Sequence, residues 1–268
     1  MIWPYPRLVA HRGGGILAPE NTLMAIDMGW QRGYRAAEID AALTRDEIPV
    51  LLHDATLERT TNGRGRLDEV NADEVAGLDA GSWLDARFAA ARVPTLDAAL
   101  QRCSEQGIWL NVEIKPVPGH EVRTGELVAR AVAQFWTRAP LLSRQDGPAT
   151  PPPLLSSFSP DALVAARAAA PDLRLGVLFT EVPSDWQDTL RHLGAFSLHC
   201  DHHPLNAQLA HAIRAAGYGL LCYTVNDPAR ARELLDWGVD AICTDRIDLI
   251  GPDVGLQQPA PRVPFTRT

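Results

Sequence analysis

Three carboxylates, two histidines, an arginine and a lysine carry the chemistry this chain could do, and they fall in four short motifs. His11-Arg12-Gly13-Gly14-Gly15, followed by Pro19-Glu20-Asn21-Thr22, places a histidine and an arginine ahead of a glycine run. Such a run lets backbone approach a ligand closely. Asn21 or Thr22 could then cap a helix whose N-terminus favours an anion. In Glu38-Ile39-Asp40 two acids stand two residues apart, so on a strand both point to one side and Ile39 to the other. Acids facing a protein interior are costly unless neutralised, and a hard divalent cation with oxygen ligands would neutralise them. His53-Asp54 adds a second histidine. Asn111-Val112-Glu113-Ile114-Lys115 puts a third acid and a lysine on one strand face, a further metal ligand and a cation for an anionic oxygen. Each motif alone has a plainer explanation: a glycine-rich turn with a surface arginine, acids satisfied by arginines, a structural histidine, an internal Glu–Lys pair. Together they describe a metal site, an acid–base pair and phosphate-binding cations. Ser156-Ser157-Phe158, Tyr223-Thr224-Val225-Asn226 and Thr244-Asp245 could line the same pocket or serve as packing and capping residues.

These residues need a scaffold that gathers them, and the hydrophobic pattern supplies one. Short apolar, β-branched runs alternate with longer helical patterns, which reads as βα units on a parallel sheet. The predicted strands are Arg7–His11, Ala36–Leu43, Trp109–Lys115, Leu154–Phe158, Arg174–Phe179, Phe196–Cys200, Gly219–Val225 and Ala241–Thr244. Eight is the number a closed (β/α)8 barrel needs, and 268 residues suit one such domain. Helices are expected at Thr22–Arg32, Thr95–Gln106, Pro160–Ala170 and Pro228–Trp237, with Gly107, Gly217 and Gly238 as C-terminal caps. Each chemical motif falls at or just past the C-terminal end of a predicted strand, or on the hairpin described below, and barrel active sites are built at that face.

Pro49–Asp54 breaks the rhythm. It follows Ala36–Leu43 too closely for a parallel crossover, so the two runs should form an antiparallel hairpin around Thr44–Glu47. If Leu43 pairs with Ile48, Glu38 lies opposite His53. Residues 55–93 then read as a small insertion, with turn chemistry at Thr60–Gly65 and a helical piece near Asp68–Leu78. Gln145–Pro153 reads as a connector. One domain over residues 1–250 and a proline-containing tail over 251–268 complete the expected organisation.

Composition narrows the function. With 46% hydrophobic and 22% charged residues the chain can bury a large core. A net charge of −8 argues against nucleic acid as partner but not against a small phosphorylated substrate, which a few local cations can hold. The longest apolar runs, such as Gly219–Val225, are too short to span a bilayer, and Met1–Arg7 has no signal-peptide character. Cys103, Cys200, Cys222 and Cys243 lack metal-type spacing and are expected to be reduced and buried, which suits the cytoplasm.

HRGGGILAPENT, EID, LLHDATLERTTNGRG, NVEIKP, CYTVN and CTD together resemble the glycerophosphodiester phosphodiesterase family, from about Arg7 to Gly251. WPYPRLVAHRGGG, DAGSW and DLIGP are similar in particular to its cytosolic bacterial members linked to glycerol-3-phosphate uptake. The resemblance implies a (β/α)8 barrel that hydrolyses glycerophosphodiesters to sn-glycerol 3-phosphate and an alcohol with Mg2+ or Ca2+. It implies His11 and His53 as acid–base pair, Glu38, Asp40 and Glu113 as metal ligands, and Arg12 and Lys115 as phosphate-contacting cations. Two departures stand out. The family's hairpin turn often reads T-x-D-G-x-P, where this chain has Thr44-Arg45-Asp46-Glu47-Ile48-Pro49, and Tyr223 stands where many relatives carry tryptophan. Two other functions fit the acids and bases less well. Metal-assisted proton abstraction beside a carboxylate usually draws its ligands from separate strands, and a barrel that only binds phosphodiesters has no use for an acid–base pair.

Overall fold

Barrel closure is the dominant feature of the computed structural model, which describes residues 2–142 and 150–252. Eight parallel strands form it: β1 (Leu8–Ala10), β2 (Ala36–Leu43), β4 (Trp109–Ile114), β5 (Leu154–Ser157), β6 (Arg174–Phe179), β7 (Ser197–Asp201), β8 (Gly219–Tyr223) and β9 (Ala241–Thr244). Each lies within a few residues of its predicted run. β1 pairs with both β9 and β2, which shuts the ring, while β3 (Pro49–Leu51) pairs antiparallel with the upper end of β2. Helices α1 (Leu23–Gln31), α3 (Leu96–Gln106), α4 (Glu121–Leu142), α5 (Pro160–Ala169), α6 (Trp186–Leu193), α7 (Ala207–Ala215) and α8 (Pro228–Asp236) run between the strands.

Local chemistry starts and stops these helices where the sequence suggests. Thr22, Thr95, Ser159 and Asp227 accept backbone N–H groups at the first turns of α1, α3, α5 and α8, and proline opens α5 and α8. Gly107, at φ 66°, ends α3 in the left-handed conformation. In the expected helical piece near Asp68–Leu78, a 3-10 turn at Leu67–Glu69 and a short helix α2 (Ala72–Ala76) are separated at Asn71, which forms a capping box with Glu74.

Outward side chains of the strands, among them Ile39, Val112, Leu155, Leu198, Leu220 and Ile242, pack under the helices in the main core. Inward, the barrel is plugged at its floor by aromatic rings. Tyr5 stacks on Trp109 with centroids 4.1 Å apart, and Trp3 and Phe196 close around them. The N-terminal residues thus serve as a stopper that the sequence pattern did not reveal. Trp109 is 1% exposed, so Trp109→Ala is expected to cost about 3–5 kcal/mol. A urea midpoint close to wild type would contradict this role for the floor.

The hairpin register differs from expectation by one residue. Leu43 pairs with Pro49, not Ile48, and Ala41 with Leu51. The cause is the turn. Glu47 N–H donates to the Thr44 carbonyl and Thr44 N–H to the Ile48 carbonyl, so three residues, Arg45–Glu47, make the loop where the expected Leu43–Ile48 pair would leave four, Thr44–Glu47. Glu47 adopts φ 61°, the left-handed region that glycine enters most easily and the position of the glycine in the resembled T-x-D-G-x-P turn, and its carboxylate is gripped by Arg123. Glu38 is therefore not opposite His53. The segment after β3 builds a small core of its own, in which Leu57, Leu67, Val75, Ala80 and Val93 pack on Ala42, Val50 and Leu52. Residues 145–149 of the expected connector and 253–268 of the expected tail lie outside the described residues. All four cysteines are free and buried, and no described helix is long and apolar enough to cross a membrane.

Candidate active site

The acids meet because of strand register. Asp40 of β2 pairs directly with Glu113 of β4, and Glu38 lies one inward position below Asp40. Carboxylate oxygens of Glu38, Asp40 and Glu113 come within 4.8 Å of one another, and all three residues are buried. Neutralisation by protein cations is partial. Arg12 donates its backbone N–H to Glu38 Oε2 (3.1 Å) and brings Nε to 3.6 Å from Asp40 Oδ2. Lys115 Nζ lies 3.1 Å from Glu113 Oε1. Asn21 donates to Asp40 Oδ2 at 2.7 Å and accepts from the Asp40 N–H at 3.0 Å. Glu38 Oε1 is buried with no hydrogen-bond donor. Burial, with Asp40 beside it, drives the Glu38 carboxyl well above the usual range, and burial and Asp40 raise Glu113 to about 7. Three carboxylates, with Glu38 Oε1 and Glu113 Oε1 buried and without a hydrogen bond, fit a divalent cation, and the cluster could hold a metal ion.

Each histidine has its own carboxylate. His11 Nδ1 sits 2.6 Å from Asp245 Oδ1, and its Nε2 faces Glu38 at 3.8 Å. His53 Nδ1 sits 2.6 Å from Asp54 Oδ1, and its Nε2 is 3.2 Å from Lys115 Nζ. With Nδ1 protonated toward the acid, each Nε2 is turned to the cleft. His53 titrates below the ordinary histidine value, mainly through burial and against the pull of Asp40, with Arg12 and Lys115 adding to the depression. The expected partner of His53, Glu38, instead neighbours His11. Glu38 meets His11 because Ala10 of β1 pairs with Ala37 of β2, while the shifted hairpin, with β3 ending at Leu51, takes His53 off the position opposite Glu38.

All seven residues singled out from the sequence converge on the C-terminal mouth of the barrel. Several partners were legible only weakly or not at all. Asp245 follows directly from closure: β9 pairs Thr244 with Ala10, so the next residues, Asp245 and His11, face each other. Asn226 donates to Asp245 Oδ2 and accepts from the Asp245 N–H, a role its position after β8 only hinted at. Asn21 binds Asp40 because Thr22 takes the cap. Among the described residues, two of the three non-glycine residues at positive φ are Arg12 (50°) and Asn21 (57°), so backbone strain gathers at the acid cluster. Gly15 (φ 54°) is needed for close approach, since a Cβ there would lie 2.0 Å from the Asp245 carbonyl oxygen. The opposite wall carries Phe158, whose ring meets Tyr223 edge-on at 6.0 Å, and Tyr223 donates its hydroxyl to the Phe179 carbonyl.

Known proteins share this architecture. The family described as glycerophosphoryl diester phosphodiesterase matches residues 11–249. A glycerophosphodiester phosphodiesterase of Caldanaerobacter subterraneus is 30% identical over 243 residues, 89% of this chain and 93% of that one. A phosphodiesterase of Oleispira antarctica, solved in complex with the product sn-glycerol-3-phosphate, superposes with a TM-score of 0.83 at 37% identity, over 92% of this chain and 95% of that one. A glycerophosphodiester phosphodiesterase of Agrobacterium tumefaciens superposes with a TM-score of 0.73 at 28% identity, over 91% and 98% of the two chains. The (β/α)8 barrel and its mouth define an enzyme, a phosphoric diester hydrolase. The chain belongs to the glycerophosphoryl diester phosphodiesterase family.

Proposed function

We propose that the protein hydrolyses glycerophosphodiesters to sn-glycerol 3-phosphate and an alcohol, with one divalent cation, Mg2+ or Ca2+, held by Glu38, Asp40 and Glu113. The observation that carries this reading is the conjunction of that buried three-acid cluster with two carboxylate-backed histidines at one barrel mouth. When bound, the cation would polarise the phosphorus and offset charge on a phosphate oxygen. Arg12 and Lys115 would take the remaining oxygens, Arg12 being held beside the cluster with Nε 3.6 Å from Asp40 Oδ2 and Lys115 with Nζ 3.1 Å from Glu113 Oε1. One histidine removes the proton of the glycerol 2-hydroxyl as its oxygen attacks phosphorus. The other protonates the departing alcohol, leaving a cyclic phosphate. Water then opens the ring with the two histidines in exchanged roles, each contributing roughly 10²–10⁴-fold.

Asp54 and Asp245 hold the imidazoles in the tautomer that presents Nε2. Water-soluble, deacylated diesters in the cytoplasm are the fitting substrates, small molecules held by local cations on an otherwise acidic protein. Incubation with glycerophosphocholine, glycerophosphoethanolamine and glycerophosphoglycerol, with EDTA and with metal restored, tests the reading. Glycerol 3-phosphate and free alcohol are expected in equal amounts, and only with metal. A protein that binds these diesters without cleaving them would instead be a binding barrel, and exchange of a carbon-bound proton without phosphate release would point to proton abstraction.

A further inference from the structure

Arg59 stands outside the cluster of acids, on the turn that opens the segment following β3. That turn is fixed: Leu57 is buried, its carbonyl accepts from both the N–H and the hydroxyl of Thr61, and its N–H donates to the Gly65 carbonyl. From it the Arg59 guanidinium makes two forks. One goes to Asp54, with Nε 2.5 Å from Oδ2 and Nη2 3.0 Å from Oδ1. The other goes to Glu20, with Nη1 2.8 Å from Oε2 and Nη2 2.9 Å from Oε1. Each acid has a second partner in the site. Asp54 holds His53 Nδ1 at 2.6 Å, and Glu20 accepts from Arg12 Nη1 at 2.5 Å.

We propose that Arg59 is a positioning residue that locks His53 and Arg12 into one geometry through Asp54 and Glu20, so that the inserted segment sets the spacing between proton transfer and phosphate binding. The proposal deepens the function proposed above and rests on it. A solvated surface ion pair is the alternative, and at 42% side-chain exposure Arg59 would add little to stability. Two bidentate forks from one rigid plane, reaching acids from separate loops that each grip a different site residue, go beyond such a pair. A lysine has a single point charge and cannot form both. Burial works against ionisation of Glu20 and Asp54, yet both carboxyls fall below the usual range. At Glu20 burial is the largest influence and Arg59 and Arg12 together overcome it, whereas at Asp54 the bond from Arg59 exceeds burial and His53 adds to it.

Kinetics with glycerophosphocholine and saturating metal, together with 15N NMR of the His53 ring, test this. Arg59→Ala is expected to lower kcat roughly 10–100-fold and raise KM, as loss of an outer partner does, with melting temperature and metal affinity unchanged. Arg59→Lys should recover only part of kcat. The His53 ring should pass from one tautomer, protonated at Nδ1, to a mixture. Arg59→Met, which keeps the aliphatic stem, replaces the alanine variant if the latter does not fold, with the same expected losses. Wild-type kcat together with an unchanged His53 tautomer in either variant would overturn the proposal. A wild-type protein that fails to cleave the diester would sink the proposed function alone, and the ring spectrum of Arg59→Ala would still decide whether the lock exists.

Discussion

His53→Ala and His11→Ala are each expected to lower kcat by at least ~10²-fold while metal binding survives. Both rings are oriented by a carboxylate 2.6 Å from Nδ1 and present Nε2 to the cleft, and neither belongs to the three-acid cluster proposed to hold the cation. A positioned acid or base acts in the transition state, so its loss falls on kcat more than on substrate affinity. The histidines are also only partly buried, which keeps the fold insensitive to their removal. Steady-state kinetics with metal titrations on each variant checks both halves. Near-normal turnover in either one would remove that residue from acid–base chemistry.

Glu113→Gln should weaken metal affinity by at least about tenfold, since a direct ligand cannot matter less than an outer partner, whose loss costs roughly 10–100-fold. The same site predicts a pH dependence. Without a cation, burial and Asp40 raise Glu113 to about 7, so metal must displace a proton below that pH. Apparent affinity should fall by at least about tenfold per pH unit as pH drops below 7, since Glu38 is raised as well, and less steeply in Glu113→Gln. The sign for stability is opposite. A carboxyl raised in the folded state favours the metal-free fold below its unfolded value, and that stability is lost as pH rises through about 7. Metal should therefore stabilise the fold most at alkaline pH. Calorimetric titrations at pH 6 and 8 check this, and an affinity flat across that range would count against protonated carboxyls in the empty cluster.

Much of this was legible in the chain because barrel geometry is local. Alternating runs gave strands, proline and hydroxyl caps gave helix starts, and the i, i+2 spacing of Glu38 with Asp40 and of Glu113 with Lys115 gave shared faces. What escaped depended on register and closure. One residue of slip in the hairpin, set by Glu47 accepting a left-handed φ, took His53 off the position opposite Glu38 and left it on Asp54. Asp245, held by Asn226 from the loop after β8, comes from late in the chain and meets His11 only when β9 closes on β1. Arg59 and Glu20 meet across separate loops, and no periodicity marks such a contact. The aromatic floor, likewise, needs the N-terminal residues to turn under the barrel, which their composition alone does not encode.

A crystal structure of the protein with calcium and glycerol 3-phosphate tests the central claim most directly. One oxygen from each of Glu38, Asp40 and Glu113 should ligate the ion, with the phosphate against it, Arg12 and Lys115 on its oxygens, and the two imidazoles on opposite sides of phosphorus. A phosphate bound elsewhere in the mouth, or an ion held by other residues with these three acids turned away, would contradict it.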